Sequence, residues 1–167
     1  MILSATLVGD KELIQRLESL PKAVQAALRV KVTALSLKLE AKVKRDKLNG
    51  QVLNRITGRL ARSISHKVDV DAHSVYGRVF SSGDVKYAAI HEFGGTTAPH
   101  IIYPKKALAL SFVNSGGEQV FARQVNHPGS KMPERSFLRS SLREMSAQIS
   151  RDLKETVIKT AREQVRR

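Results

Sequence analysis

The chain has no cysteine and no tryptophan, and aromatic side chains make up only 5% of its 167 residues. Without cysteine there is no disulfide framework, no thiolate nucleophile and no cysteine-ligated zinc site. With so few aromatics, the apolar 41% is mostly Leu, Val, Ile and Ala, and the core must be aliphatic. The same scarcity removes the aromatic platform on which single-stranded nucleic acid stacks. No apolar run approaches the ~20 residues of a membrane span. The opening "MILSATLVGD" has no basic stretch ahead of its short apolar run, so no secretory signal is expected. These absences lead to the expectation of a soluble chain made in a reducing cytoplasm. Its length fits a single domain over 1–167, with a core that needs no staples.

What is present in excess is positive charge: 29 Lys and Arg against 15 Asp and Glu, a net of +14. The excess is spread evenly. Residues 10–50 hold ten basic and five acidic groups, residues 51–130 nine and five, and residues 131–167 ten and five. There is no dedicated basic tail. Charge of this kind either solvates two long helices or attracts a polyanion.

Residues 10–47 read as helical. Leu13, Leu17, Leu20, Val24, Leu28, Val32, Leu35, Leu39 and Val43 recur every three or four residues and form one apolar stripe. Pro21 suits the first turn of a helix. The spacing predicts a short helix near 10–19 and a long one near 21–47 that stops before Asn49-Gly50. Val30, Leu37 and Ala41 fall off the stripe and interleave with Lys31, Lys38, Lys42 and Lys44. That flank is a candidate surface for assembly or for DNA; the alternative is a helix sandwiched between a sheet and the C-terminal helix.

Residues 1–9 form a possible strand or arm, and 60–125 read as β-rich. "ISHKVDVD" places Ile64, His66, Val68 and Val70 on one face, and "VYGRVF" (75–80) alternates likewise. "ALALSF" (107–112) and "QVFARQV" (119–125) flank a turn at Ser115-Gly116-Gly117. Four such strands predict an antiparallel sheet. The link 81–104 is long, irregular and rich in Gly and Pro, and 126–135 is an extended lead-in to the last helix. Both segments are expected to be mobile in the free subunit and to order against neighbours. A C-terminal helix over 136–165 carries Leu138, Leu142, Met145, Ile149, Leu153 and Val157 on one stripe, with Ser136 as its N-cap. The fold class is α+β: a long N-terminal helix and a C-terminal helix packed on a small antiparallel β-sheet, with long irregular loops.

The stretch "YAAIHEFGG" (87–95) is the one place that resembles an active site. A zinc helix of the H-E-x-x-H type requires a second histidine where Gly95 stands. The other histidines have no metal-ligand spacing, and nucleophile-elbow, P-loop and dinucleotide motifs are missing. No catalytic residue, cofactor or metal is expected. His91 reads instead as a partly buried polar residue that anchors a loop through hydrogen bonds. Tyr87 and Phe93 are expected to anchor that loop into the core. Gly94-Gly95 turns the backbone, and Glu92 accepts hydrogen bonds from backbone or arginine.

Three phrases in order, "TGRLARSI" (57–64), "YAAIHEFGG" (87–95) and "HPGSKMPERSFLRSSL" (127–142), follow a basic amphipathic helix. Together they resemble the virion-morphogenesis proteins of long-tailed bacteriophages: neck, tail-completion, minor tail or head–tail joining components. The resemblance runs from about residue 10 to the end. It rests on Thr57, Gly58, Leu60, Ser63 and Ile64; on Tyr87, Glu92 and Gly94; and on His127, Pro128, Gly129, Pro133, Arg135, Phe137 and Leu138. The family often has proline before that phenylalanine; here it is Ser136.

The resemblance implies a structural α+β subunit in a homo-oligomeric ring at the head–tail junction, through which DNA passes without sequence-specific contact. Its implied neighbours are portal or connector proteins and tail-tube or tail-terminator proteins. Its implied location is the virion neck or tail, assembled in the bacterial cytoplasm without a membrane. The alternatives from other classes are a basic nucleic-acid-binding protein and a small hydrolase acting on cell wall or nucleic acid.

Overall fold

The computed structural model describes residues 3–7, 22–72, 74–83 and 85–165. In chain order the elements are β1 (Leu3–Leu7), α1 (Lys22–Lys42), α2 (Arg59–Ser63), β2 (Ile64–Val70), β3 (Val75–Ser81), α3 (Tyr87–Phe93), β4 (Gly95–Thr96) and β5 (His100–Ile102). There follow β6 (Leu110–Val113), β7 (Gln119–Ala122), β8 (Val125–His127), β9 (Lys131–Met132) and α4 (Leu138–Val165). The fold is α+β. The helix expected near 10–19 lies outside the described residues.

The aliphatic stripe determines how α1 sits. Val24, Leu28, Val32, Leu35, Leu39 and Val43 are all buried, each contributing ~1.5–3 kcal/mol by leaving water. Beyond Lys42 the helix widens into π-type turns over Val43–Gln51 and loses helical backbone at Leu48 and Asn49. Gly50, at φ 116°, turns the chain away, a conformation costly for any residue with a Cβ. Val30 is 72% exposed and Leu37 50%, and Ala41 is exposed too. α1 does lie between the sheet and the C-terminal helix, as the alternative reading has it, and this flank nevertheless faces outward.

The stripe of α4 packs along α1. Leu138, Met145, Ile149, Leu153 and Val157 are buried and Leu142 partly so. Glu144 fastens the two helices, pairing with Lys47 at 2.5 Å and Lys42 at 2.9 Å. Lys44 instead pairs with Glu40. Of the four flank lysines, Lys42 and Lys44 thus hold internal ion pairs. Lys31 and Lys38 have no ion-pair partner among the described residues.

β3 is the middle strand of a three-stranded antiparallel sheet, ordered β1-β3-β2. Its register places Ile64 opposite Ser81, His66 opposite Val79 and Val68 opposite Gly77. These residues form the face that α1 covers. At Gly77 the helix comes so close that an added Cβ would sit 2.3 Å from Ser36 Oγ and 2.8 Å from Val32 Cγ1. The outer face carries the Asp69 pairs with Lys67 and Arg78.

Two expectations need correction. The four strands do not share a sheet: β6 and β7 pair only with each other, away from β2 and β3. Nor is 81–104 irregular, and the extended 126–135 pairs with it. They hold α3 and two β-ladders, β4 with β9 and β5 with β8. Gly95↔Met132 and Thr96↔Lys131 lead, residue for residue, to His100↔His127 and Ile102↔Val125. The Thr97 N–H, donating to the Ser130 carbonyl at 3.0 Å, bridges the gap. Residues 95–132 are therefore one long hairpin arm. Its register slips where residues 103–109 face residues 123–124, and it ends in the β6–β7 hairpin. Turn residues scattered along both strands hid the pairing, because neither strand alternates cleanly.

The connection at 114–118 closes the tip as expected, although only Gly117 takes positive φ, at 82°. Asn114 Oδ1 accepts the N–H groups of Gly116 and Glu118, both at 3.0 Å, and fixes the turn.

Candidate functional site

The root of the arm is where the three sequence phrases meet. In α3, residues four apart share a face, and Ala88 and Glu92 are the buried pair. The Glu92 carboxylate, 0% exposed, points at the start of α4. Its Oε2 accepts the N–H groups of Phe137 (2.7 Å) and Leu138 (2.9 Å). Its Oε1 accepts the Arg139 N–H (2.9 Å), Arg139 Nε (3.2 Å) and the Ser136 hydroxyl (2.8 Å). These backbone donors are among those a helix N-terminus leaves without partners, and negative charge there is favoured by the helix dipole. Glu92 thus caps α4 from 45 residues away.

That corrects the expected cap. Ser136 donates to Glu92 and accepts the Ser140 N–H at 3.2 Å, while the first turn of α4 is capped by Glu92. A carboxylate outcompetes a hydroxyl because its hydrogen bonds are charge-assisted. Arg139, which the sequence reading missed, completes the lock. Its Nη2 donates to the Glu92 carbonyl and to Glu134 Oε1, both at 2.8 Å, and its guanidinium lies 4.5 Å over the Phe93 ring. The only sequence signal for this role was an arginine one residue into a helix that follows a turn-rich lead-in.

Tyr87 and Phe93 are not core anchors. Both are exposed, because the buried face of α3 belongs to Ala88 and Glu92. Tyr87 meets the His91 ring edge-on at 6.0 Å. His91 Nδ1 is buried and has no hydrogen-bond partner, so the side chain does not anchor the loop in the expected way. The link runs through backbone: the Arg135 N–H donates to the His91 carbonyl at 2.7 Å. Burial, and after it the Arg135 charge, hold the His91 pKa below its ordinary value.

Gly94, at φ 70°, ends α3 where its backbone lies against that of Glu134 and Met132; Gly95 then opens β4 at φ 143°. Further along, Gly129 (φ 90°) lies so close to Thr97 that a Cβ would stand 2.1 Å from its carbonyl oxygen. His127 stacks on His100 at 4.9 Å and accepts the Gly129 N–H at 3.0 Å. Pro128 and Pro133 are exposed, just past the ends of β8 and β9, whereas Phe137 and Leu138 further on are buried.

The first phrase supports the root from the other side. Thr57 Oγ1 accepts the Arg59 N–H at 3.4 Å, and Gly58 begins α2 at φ 71°. Leu60 packs against the core, and Ile64 is fully buried. The Ser63 hydroxyl donates to the Leu60 carbonyl at 2.7 Å and lies 2.8 Å from that of Ser81. Between this segment and α3 opens a cavity of about 440 Å³. Leu53, Ile56 and Leu60 give it an apolar wall; Arg55, Arg59 and Arg135 give it positive charge, His91 adds an imidazole edge, and no acidic residue is among the described residues that line it.

Chemically, this arrangement holds shape. Both Glu92 oxygens are occupied, so neither is available to a substrate proton. Among the described residues no cluster of His, Asp or Glu is suited to a metal, and no helix is long and apolar enough to cross a membrane.

The chain belongs to the phage virion morphogenesis family, whose model matches residues 33–165. Its role therefore lies in building a bacteriophage virion, with which it associates. No curated protein and no solved structure matches the chain.

Proposed function

We propose that the protein is a structural neck or tail-completion subunit, one copy in a ring at the head–tail junction through which DNA passes. The observation that carries this reading is the arm. Apart from each other, β6 and β7 make no more than marginal contact with any helix or strand. A lone two-stranded hairpin is marginally stable in water. This one nevertheless exposes apolar groups: Phe112 and Val113, Phe121 at 66%, and Leu108 at 99% in the slipped segment. Apolar side chains gathered on a projecting element fit a neighbouring subunit. The exposed Val30 and Leu37 on α1 offer a second contact. A net charge of +14 per copy, repeated around a ring, would focus a positive field on the channel that DNA crosses.

In this role the protein is not an enzyme, and its neighbours are a portal or connector on one side and a tail-tube or tail-terminator protein on the other. The test is to delete its gene from the phage and image the particles by electron microscopy. Filled heads and complete tails, unjoined until the purified protein is added, are expected. Joined virions in the deletion would overturn the reading.

A further inference from the structure

Two of the arginines that line the cavity at the arm root carry charge that no described carboxylate balances. Neither Arg55 nor Arg135 has a carboxylate partner among the described residues, and the buried His91 Nδ1 beside them lacks a hydrogen bond. A site of this kind, cationic on one side and apolar on the other, takes a carboxylate carried on an apolar support.

The chain holds such a group at the far end of the arm. Glu118 is the one acidic residue between positions 93 and 133. It is exposed at the hairpin tip, where its Oε2 accepts a hydrogen bond from Asn114 Nδ2 at 3.1 Å. Asn114 also holds the turn rigid through its two backbone bonds, which lowers the entropy lost on docking. Directly behind the tip, Val113 and Phe121 stand exposed on one face of the hairpin. The tip therefore presents a carboxylate followed by apolar surface, the complement of the cavity.

We propose that the β6–β7 tip of one copy, led by Glu118, docks into the Arg55–Arg135 cavity at the arm root of the next copy. The inference rests on the ring reading and supplies its contact. Tip and root of one arm are separated by the paired ribbon 95–102, ~26 Å at ~3.3 Å per residue, so the tip meets another molecule's root. Donor and acceptor are different surfaces. The contact is thus head-to-tail, the kind that generates a ring when its rotation closes.

Native mass spectrometry and analytical ultracentrifugation of the whole chain test it, with circular dichroism confirming that each variant is folded. Wild type should assemble. Glu118→Lys, and separately Arg55→Glu with Arg135→Glu, should each raise the assembly midpoint concentration at least ten-fold. The triple variant combining these changes should recover assembly, because the charges are exchanged. Glu118 lies on an exposed turn, so Glu118→Lys decides the matter even if the arginine variants fold poorly. Wild-type assembly in Glu118→Lys overturns the inference and leaves the ring intact. A wild type monomeric at every concentration overturns the ring and the inference together. If the arginine variants assemble normally but lose affinity for a short DNA duplex, the cavity is a phosphate site and the inference falls.

Discussion

Glu92 Oε2 accepts the Phe137 N–H at 2.7 Å, with Glu92 and Phe137 both fully buried. This contact joins the end of α3 to the start of α4 and closes the arm at its root. Replacing Glu92 by Ala leaves those buried donors without an acceptor, and each such loss costs ~1–3 kcal/mol. The expected loss of stability is about 3 kcal/mol or more, seen as a lower urea midpoint. Glu92→Gln, which keeps one acceptor oxygen, should lose less. A Glu92→Ala variant that unfolds with wild type would show that the cap is not holding the root.

Gly77 sets the distance between α1 and the sheet. Gly77→Ala places a Cβ against Ser36 and Val32, and overpacking of this kind costs ~1–3 kcal/mol. Ser36→Ala removes the nearer atom, so the double variant should be more stable than Gly77→Ala alone. Additive losses would contradict the close approach.

The His91 pKa lies below its ordinary 6.5, through burial first and the Arg135 charge second. The folded state thus takes up a proton less readily than the unfolded one. This contribution is complete above the unfolded value and is lost as pH falls from about 6.5 through the folded value. His91→Leu should flatten the stability–pH curve in that window. Glu40, whose pKa is also lowered, contributes a further fall beneath its ordinary 4.5, which His91→Leu leaves unchanged. Equal slopes near neutrality in the two proteins would contradict the assignment.

Much of the frame could be read from the sequence, because helix stripes are local. Every residue of the α1 stripe from Val24 to Val43 is buried, and so is the α4 stripe except for the half-buried Leu142. The hairpin turn was legible from its glycines. The arm was not, since its pairing joins residues as far apart as Gly95 and Met132, and its short ladders are broken by turn-forming residues. At the site, an acceptor role for Glu92 could be reasoned from its neighbours. That its donors lie on α4 could not, because a cap supplied from another element leaves no spacing in the chain. Tyr87 and Phe93 misled for a related reason. In a helix of seven residues, which face is buried depends on what packs against it.

The flank of α1 provides an independent test of assembly. Val30→Glu with Leu37→Glu alters exposed positions, so the melting temperature should stay near wild type, within ~0.5 kcal/mol of stability. Ring formation or head–tail joining should fail. Normal assembly would remove this flank from the interface, and unfolding would place it in the core.

The arm itself provides the most direct measurement. Residues 103–124 are replaced by Asn-Gly, a pair suited to a two-residue turn, so that Ile102 and Val125 become the new end of the ribbon. The masses of wild-type and shortened chains are then compared by native mass spectrometry at equal concentration. The account predicts that the shortened chain melts like wild type and stays monomeric while the wild type forms a closed ring. A shortened chain that still forms the ring would contradict it.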